Sequence, residues 1–214
     1  MSGDMIQWVA SKLKENVRLD VVSRTPEGFL VVRSKTGYTF LLAVINMSNL
    51  IAPTDVKHLF SGAVKPQLVV NVPSKTLWSG AAIHLVHMTS AAFGTLGDVA
   101  RAAAIENAGS FRDEGTEFFI KAMKQHTNVS NVSYVYDSVF KVERKCGPNL
   151  IVAVVDAYNM SAEDVRNARD RVGHFDVVVK SSNYGSITAP ATAAAIDMGT
   201  QALAFRELMQ RLGK

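Results

Sequence analysis

The side chains able to do chemistry are few and scattered. The five histidines, His58, His84, His87, His126 and His174, fall into no metal-binding spacing. His84 and His87 stand three apart in an apolar stretch without a third ligand, so they read as packing or solvated residues. The single cysteine, Cys146, lies in a basic turn with no matched histidine, so no Cys-His or Ser-His-Asp constellation can be assembled. No GxGxxG or GxxxxGK[ST] phosphate loop occurs, which leaves a dinucleotide or P-loop function without support. What does recur is basic: Arg33 and Lys35 in one turn region, and Lys141, Arg144 and Lys145 in another. Cations so placed can face the phosphate backbone of a nucleic acid. They can equally serve only to keep a hairpin tip soluble.

The two basic regions belong to a repeat. Sliding the chain by 110 residues lays 27–49 on 137–159 without a gap, with Val32/Val142, Lys35/Lys145, Gly37/Gly147, Ala43/Ala153, Val44/Val154 and Asn49/Asn159 identical. The apolar pattern agrees between them, as in Leu30/Phe140 and Leu42/Val152. One deleted residue then changes the offset to 109. The match continues through Asp55-Val56-Lys57 on Asp164-Val165-Arg166, Leu68–Val70 on Val177–Val179, and Ser79 on Thr188. A single one-residue indel over so long a match points to one α/β unit written twice. The alternative is two unrelated stretches that share a common pattern.

Each copy predicts the same elements. An amphipathic helix opens it, with Ile6, Val9, Leu13 and Val17 at helical spacing in the first copy and Phe118, Phe119, Ala122 and Met123 in the second. Three strands follow, near 19–23, 29–33 and 39–45, then near 132–136, 139–143 and 149–155. The turns SKTG and RKCG place Gly where a tight hairpin needs positive φ. The third strand is almost wholly apolar, which suits a strand covered on both faces. A short helix (53–60, 162–171), a fourth strand (67–72, 175–180) and a long Ala-rich helix (79–104, 189–212) complete the unit. The expectation is an α/β protein with mixed sheets, built of two tandem αβββαβα repeats related by pseudo-two-fold symmetry. The repeats would span 1–104 and 114–214, joined by a linker over 105–113.

That element order, a hairpin feeding a central apolar strand, resembles the core of the restriction-endonuclease-like (PD-(D/E)XK) nuclease superfamily. The tail Gly185-Ser186-Ile187-Thr188, followed by the Ala-rich helix, is similar to the end of such domains. The resemblance covers both copies and rests on pattern and order. It implies an Asp at the start of the second strand, an acidic-x-Lys triplet ending the third, and Mg²⁺ held between the carboxylates. In the second copy Asp137 takes the first place, and Asp156-Ala157-Tyr158 takes the triplet with tyrosine for lysine. Glu117 or Glu114 on the first helix is the implied third metal ligand, and Lys180 a displaced lysine. In the first copy Glu27 matches Asp137, but Asn46-Met47-Ser48 replaces the triplet, which implies an inactive unit. Asp137 and Asp156 also suit ordinary turn and strand-end positions, and Lys180 a solvated strand end.

The net charge of +4 with a pI near 9.2 permits phosphate binding without requiring it. One cysteine fits a reducing cytoplasm. The start of the chain lacks a cleavable apolar leader, and no stretch has the length of a membrane span. The leading expectation is a non-catalytic binding or scaffolding protein of two degenerate nuclease-like units, with DNA or RNA as partner and no cofactor. The alternatives are a Mg²⁺-dependent nuclease active only in the second copy, and a self-associating structural subunit of a larger protein assembly. No membrane partner is expected.

Overall fold

The computed structural model describes residues 2–182 and 184–213. The chain divides into two compact units, Met1–Asp113 and Glu114–Lys214. The first contains α1 (Ser2–Glu15), β1 (Leu19–Arg24), β2 (Leu30–Ser34), β3 (Thr39–Ile45), α2 (Pro53–Lys57), β4 (Leu68–Asn71), α3 (Gly80–Met88), β5 (Ala92–Thr95) and α4 (Val99–Ala104). The second contains α5 (Glu114–Gln125), β6 (Val129–Tyr136), β7 (Val139–Arg144), β8 (Leu150–Val155), α6 (Ala162–Val172), β9 (Val177–Lys180), α7 (Ala189–Asp197), β10 (Gln201–Ala204) and α8 (Phe205–Leu212). Among the described residues no helix is long and apolar enough to cross a membrane.

Each unit holds one five-stranded mixed sheet, ordered β1-β2-β3-β4-β5 and β10-β9-β8-β7-β6. The first three strands form an antiparallel meander, and the last two run parallel to the third. Tight turns suffice for the meander, while each parallel step needs a helical crossover, supplied by α2 and α3 or by α6 and α7. All four residues of β4 and of β9 are buried, as befits strands with neighbours on both sides. Gly37 and Gly147 take φ of 91° and 85° in the β2–β3 and β7–β8 turns.

Two expectations are corrected here. The long final helix is broken in both units, so the order is αβββαβαβα. The helix α3 stops at Met88, Ser90 turns with φ 57°, and β5 pairs in parallel with β4; likewise Gly199 at φ 68° separates α7 from β10 beside β9. Alanine favours a helix in isolation, but here the free edge of a buried parallel strand offers a hydrogen-bonding ladder to the segment. The second correction concerns 105–113, which is no linker. Ala108 and Phe111 belong to the core of the first unit, and Ala108 N donates to the Tyr38 hydroxyl at 2.9 Å. Gly109 lies so close that a Cβ there would stand 2.4 Å from Ser90 O. Arg101 joins Asp98 to Asp113 and lies over the Phe111 ring.

The units repeat their polar fastenings at the same offsets as their sequences. Leu41 N donates to Gln67 Oε1 at 2.8 Å, and Ile151 N to Asp176 Oδ2 at 2.7 Å. Asp55 accepts from Ala52 N at 2.7 Å, and Asp164 from Ser161 N at 2.8 Å, each closing the first turn of a helix. Ser79 and Thr188 cap α3 and α7. Asp98 and Glu207 each accept at 2.7 Å from the backbone three residues before, Thr95 N and Ala204 N. Equal strand order with equal fastenings is what an internal duplication leaves behind.

Candidate functional site

The second unit gathers polar side chains where β8 and β9 end and β7 begins. The register makes this happen. Val154 N donates to Ser138 O, so Asp137, one residue before Ser138, and Asp156, two after Val154, fall at the same end of the sheet. Val155 lies opposite Lys180 in the parallel β8–β9 pair. In open α/β sheets this carboxyl end of the parallel strands is where ligands bind. A cleft of about 340 Å³ opens between it and α6, with an apolar wall from Val139, Ala153 and Val172 and polar groups from Ser138, Asp156, Asn167 and Arg171.

Most of these groups already have structural partners. Asp137 Oδ2 stands 3.7 Å from Arg171 Nη2, and Asp164 is occupied in its helix cap. Asp156 is exposed and accepts from Ser181 Oγ at 3.1 Å. Lys180 is not the solvated strand-end residue that its position suggested. It is 2% exposed, and its Nζ donates to the carbonyls of Ser182 and Tyr184. Glu117 sits on α5 in an ion pair with Lys121, and Glu114 begins the same helix. Among the described residues no three His, Cys, Asp or Glu side chains converge as metal ligands. A Mg²⁺ ion prefers an octahedron of oxygens. Here a guanidinium stands beside one of the two aspartates, so the arrangement does not fit that ion.

Sequence reading missed Arg171 and Asn167. The signal was present in α6: Asp164, Asn167 and Arg171 stand at i, i+3 and i+7, one face of a helix, directed at the cleft. In the loops that follow β8 and β9, Tyr158 and Tyr184 are 69% and 77% exposed. Their loops are joined where Ser186 N donates to Asn159 Oδ1 at 2.9 Å, and where Gly185, at φ 74°, packs against Tyr158 O. In the first unit Glu27 and Asn46 are exposed, and Gly62 stands at the place of Arg171.

The five basic candidates fall into two groups. Arg33 pairs with Asp20 at 2.7 Å, and Lys141 with Glu143 at 2.7 Å, whose carboxyl that hydrogen bond holds below its ordinary value. Arg144 donates to Pro148 O at 2.7 Å and bonds Arg211 O, fastening the hairpin to α8. Lys35 and Lys145 are exposed and enter none of the ion pairs of the described residues. Each is anchored by its backbone in the same way, Lys35 N to Arg18 O at 3.2 Å and Lys145 N to Asn128 O at 2.8 Å.

His87 is the most perturbed histidine. Burial, and after it the charge of Arg112 and the proximity of His84, lower its pKa to about 4, and its ring packs 5.7 Å from that of Phe93. It is a neutral packing residue at physiological pH. No family model, no curated protein and no solved structure matches the chain.

Proposed function

We propose that the chain is a nucleic-acid-associated binding or scaffolding protein whose two nuclease-like units do not catalyse. The observation that carries this is the equivalent pair Lys35 and Lys145. Both are exposed on the hairpin between the second and third strands, and both are held by the same backbone bond to the turn after the first helix. Arg18 and Arg144 add charge beside them. Lysines at such tips would contact phosphates, position the protein and carry no base readout.

The cleft of the second unit supports the non-catalytic part. Lys180, at the same end of the sheet, is fastened to loop carbonyls, and the cleft's surplus of carboxylates over Arg171 repels a phosphodiester. The part of the pattern that supports the nuclease-like reading is the antiparallel meander followed by a helical crossover to a parallel fourth strand.

Filter binding at low salt to single- and double-stranded DNA and RNA tests the reading. Binding should weaken steeply with added salt, and Lys35→Ala with Lys145→Ala should lower affinity by about tenfold and reduce the salt slope by ~2. An absence of binding at low salt rejects it.

A nuclease active in the second unit has one observation in its favour, that Asp137 and Asp156 stand at the same end of one sheet. That reading requires cleavage with Mg²⁺ or Mn²⁺ that Asp137→Ala abolishes. It fails if the native chain cuts neither single- nor double-stranded substrates.

A further inference from the structure

The two units differ in how they fill the space between their first helix and first strand. In the second unit Ile120, Tyr134 and Phe140 pack there. The Tyr134 and Phe140 rings are 5.0 Å apart, and Phe140 lies 4.6 Å from Phe119. The residues 110 positions earlier are Ala10, Arg24 and Leu30, which are smaller or charged. The first unit accordingly has an open groove of about 340 Å³ between α1 and β1, at the small end of the range for small-molecule sites.

Its chemistry is one-sided. Ile6, Ala10, Val21 and Leu30 give an apolar lining, Lys14 and Arg24 bring two cations, and no carboxylate lines it. Lys14 enters none of the ion pairs of the described residues. Arg24 is steadied by Nε donating to Gly28 O at 3.3 Å. The groove runs beside an edge strand, but β1 is bulged between Val21 and Ser23. A bulge twists an edge away from strand addition, which disfavours an extended peptide.

We infer that this groove binds a small anionic ligand with an apolar body, of the class of medium-chain carboxylates. The apolar body fills the space that Tyr134 and Phe140 fill in the other unit, and the carboxylate meets Arg24 and Lys14. This site is separate from the hairpin lysines and does not depend on the nucleic-acid reading.

Calorimetric titration of the full chain with octanoate tests the inference, with octanol as the uncharged control. One octanoate should bind per chain, and octanol about tenfold more weakly, the usual worth of a charge-assisted hydrogen bond. Ala10→Ile with Leu30→Phe, which fills the groove as the second unit does, should abolish binding. Arg24→Glu changes an exposed side chain, so the fold is kept and binding should also be lost. Octanoate binding that survives Arg24→Glu, equal affinity for octanol, or no saturable binding to the native chain overturns the inference.

Discussion

Asn71 and Lys180 hold the same place in the two units. Each ends the fourth strand of its sheet, opposite Ile45 or Val155, and each is almost wholly buried. Each also donates to the carbonyl two residues on, Asn71 Nδ2 to Pro73 O at 2.9 Å and Lys180 Nζ to Ser182 O. Asn71 further grips both backbone groups of Met47, and Lys180 reaches Tyr184 O. The duplicated fold therefore keeps a side-chain clamp at this corner while changing its chemistry from amide to ammonium.

Removing the clamp takes two charge-assisted hydrogen bonds from the loop after β9, those to Ser182 O and Tyr184 O. Lys180→Met should destabilise the second unit by about 1–3 kcal/mol, the range for hydrogen bonds from a charged group, and leave the first unit unchanged. Hydrogen exchange reads the two units separately. Faster exchange confined to the second unit is the expected result, and unchanged exchange in both discards the clamp.

Ala108 and Phe111 anchor the segment 105–113 in the core of the first unit, so Phe111→Ala should cost about 3–5 kcal/mol, as for other buried phenylalanines. A fragment ending at Asp113 should fold, while one ending at Ala104 should not. Circular dichroism of the two fragments decides; equal folding of both contradicts the role given to Phe111.

Acid should weaken the first unit through His87. Its folded pKa, about 4, lies below the ordinary value of 6.5, so the unfolded chain takes up the proton first. The stability tied to the neutral ring is complete above pH 6.5 and is lost as pH falls from there towards 4. Denaturant midpoints between those values should drop with pH. His87→Leu should flatten that slope, and an unaltered slope in the variant excludes His87 as the cause.

The helix-entry carboxylates should behave as a matched pair. Asp55→Ala and Asp164→Ala each remove one acceptor for a backbone N–H at a helix start, worth about 1 kcal/mol. Each loss should appear only in its own unit, measured by the same exchange experiment. Coupled losses across both units contradict separate cores.

Much of this fold was legible because its periodicities are written in large apolar residues. The run FLLAVI with its counterpart LIVAVV, and the glycines at 37 and 147, located strands and turns in both copies. The fifth strands were not legible. At four residues each, AFGT and QALA carry too little pattern to outweigh the alanines around them, and they become strands only because β4 and β9 have an edge to fill. Gly199, at φ 68°, follows the end of α7, where the Ala-rich pattern carries a helix on to 212. In the candidate site, the positions of Asp137 and Asp156 followed from strand boundaries. The fate of Lys180 did not, because a lysine at a strand end gives no sign in sequence of whether its carbon chain runs outward or folds back onto its own loop.

The acceptors Gln67 and Asp176 bear on how a duplicated chain avoids tangling. A nascent polypeptide with two copies of one strand plan has wrong pairings available to it, in which the fourth strand of one copy settles against the third of the other. Gln67 reaches Leu41 with a side chain one methylene longer than the one with which Asp176 reaches Ile151. Both residue pairs are also joined through the main chain at 2.9 Å, Gln67 N to Leu41 O and Asp176 N to Ile151 O, so within each half a side chain and the backbone together hold the fourth strand in register with the third.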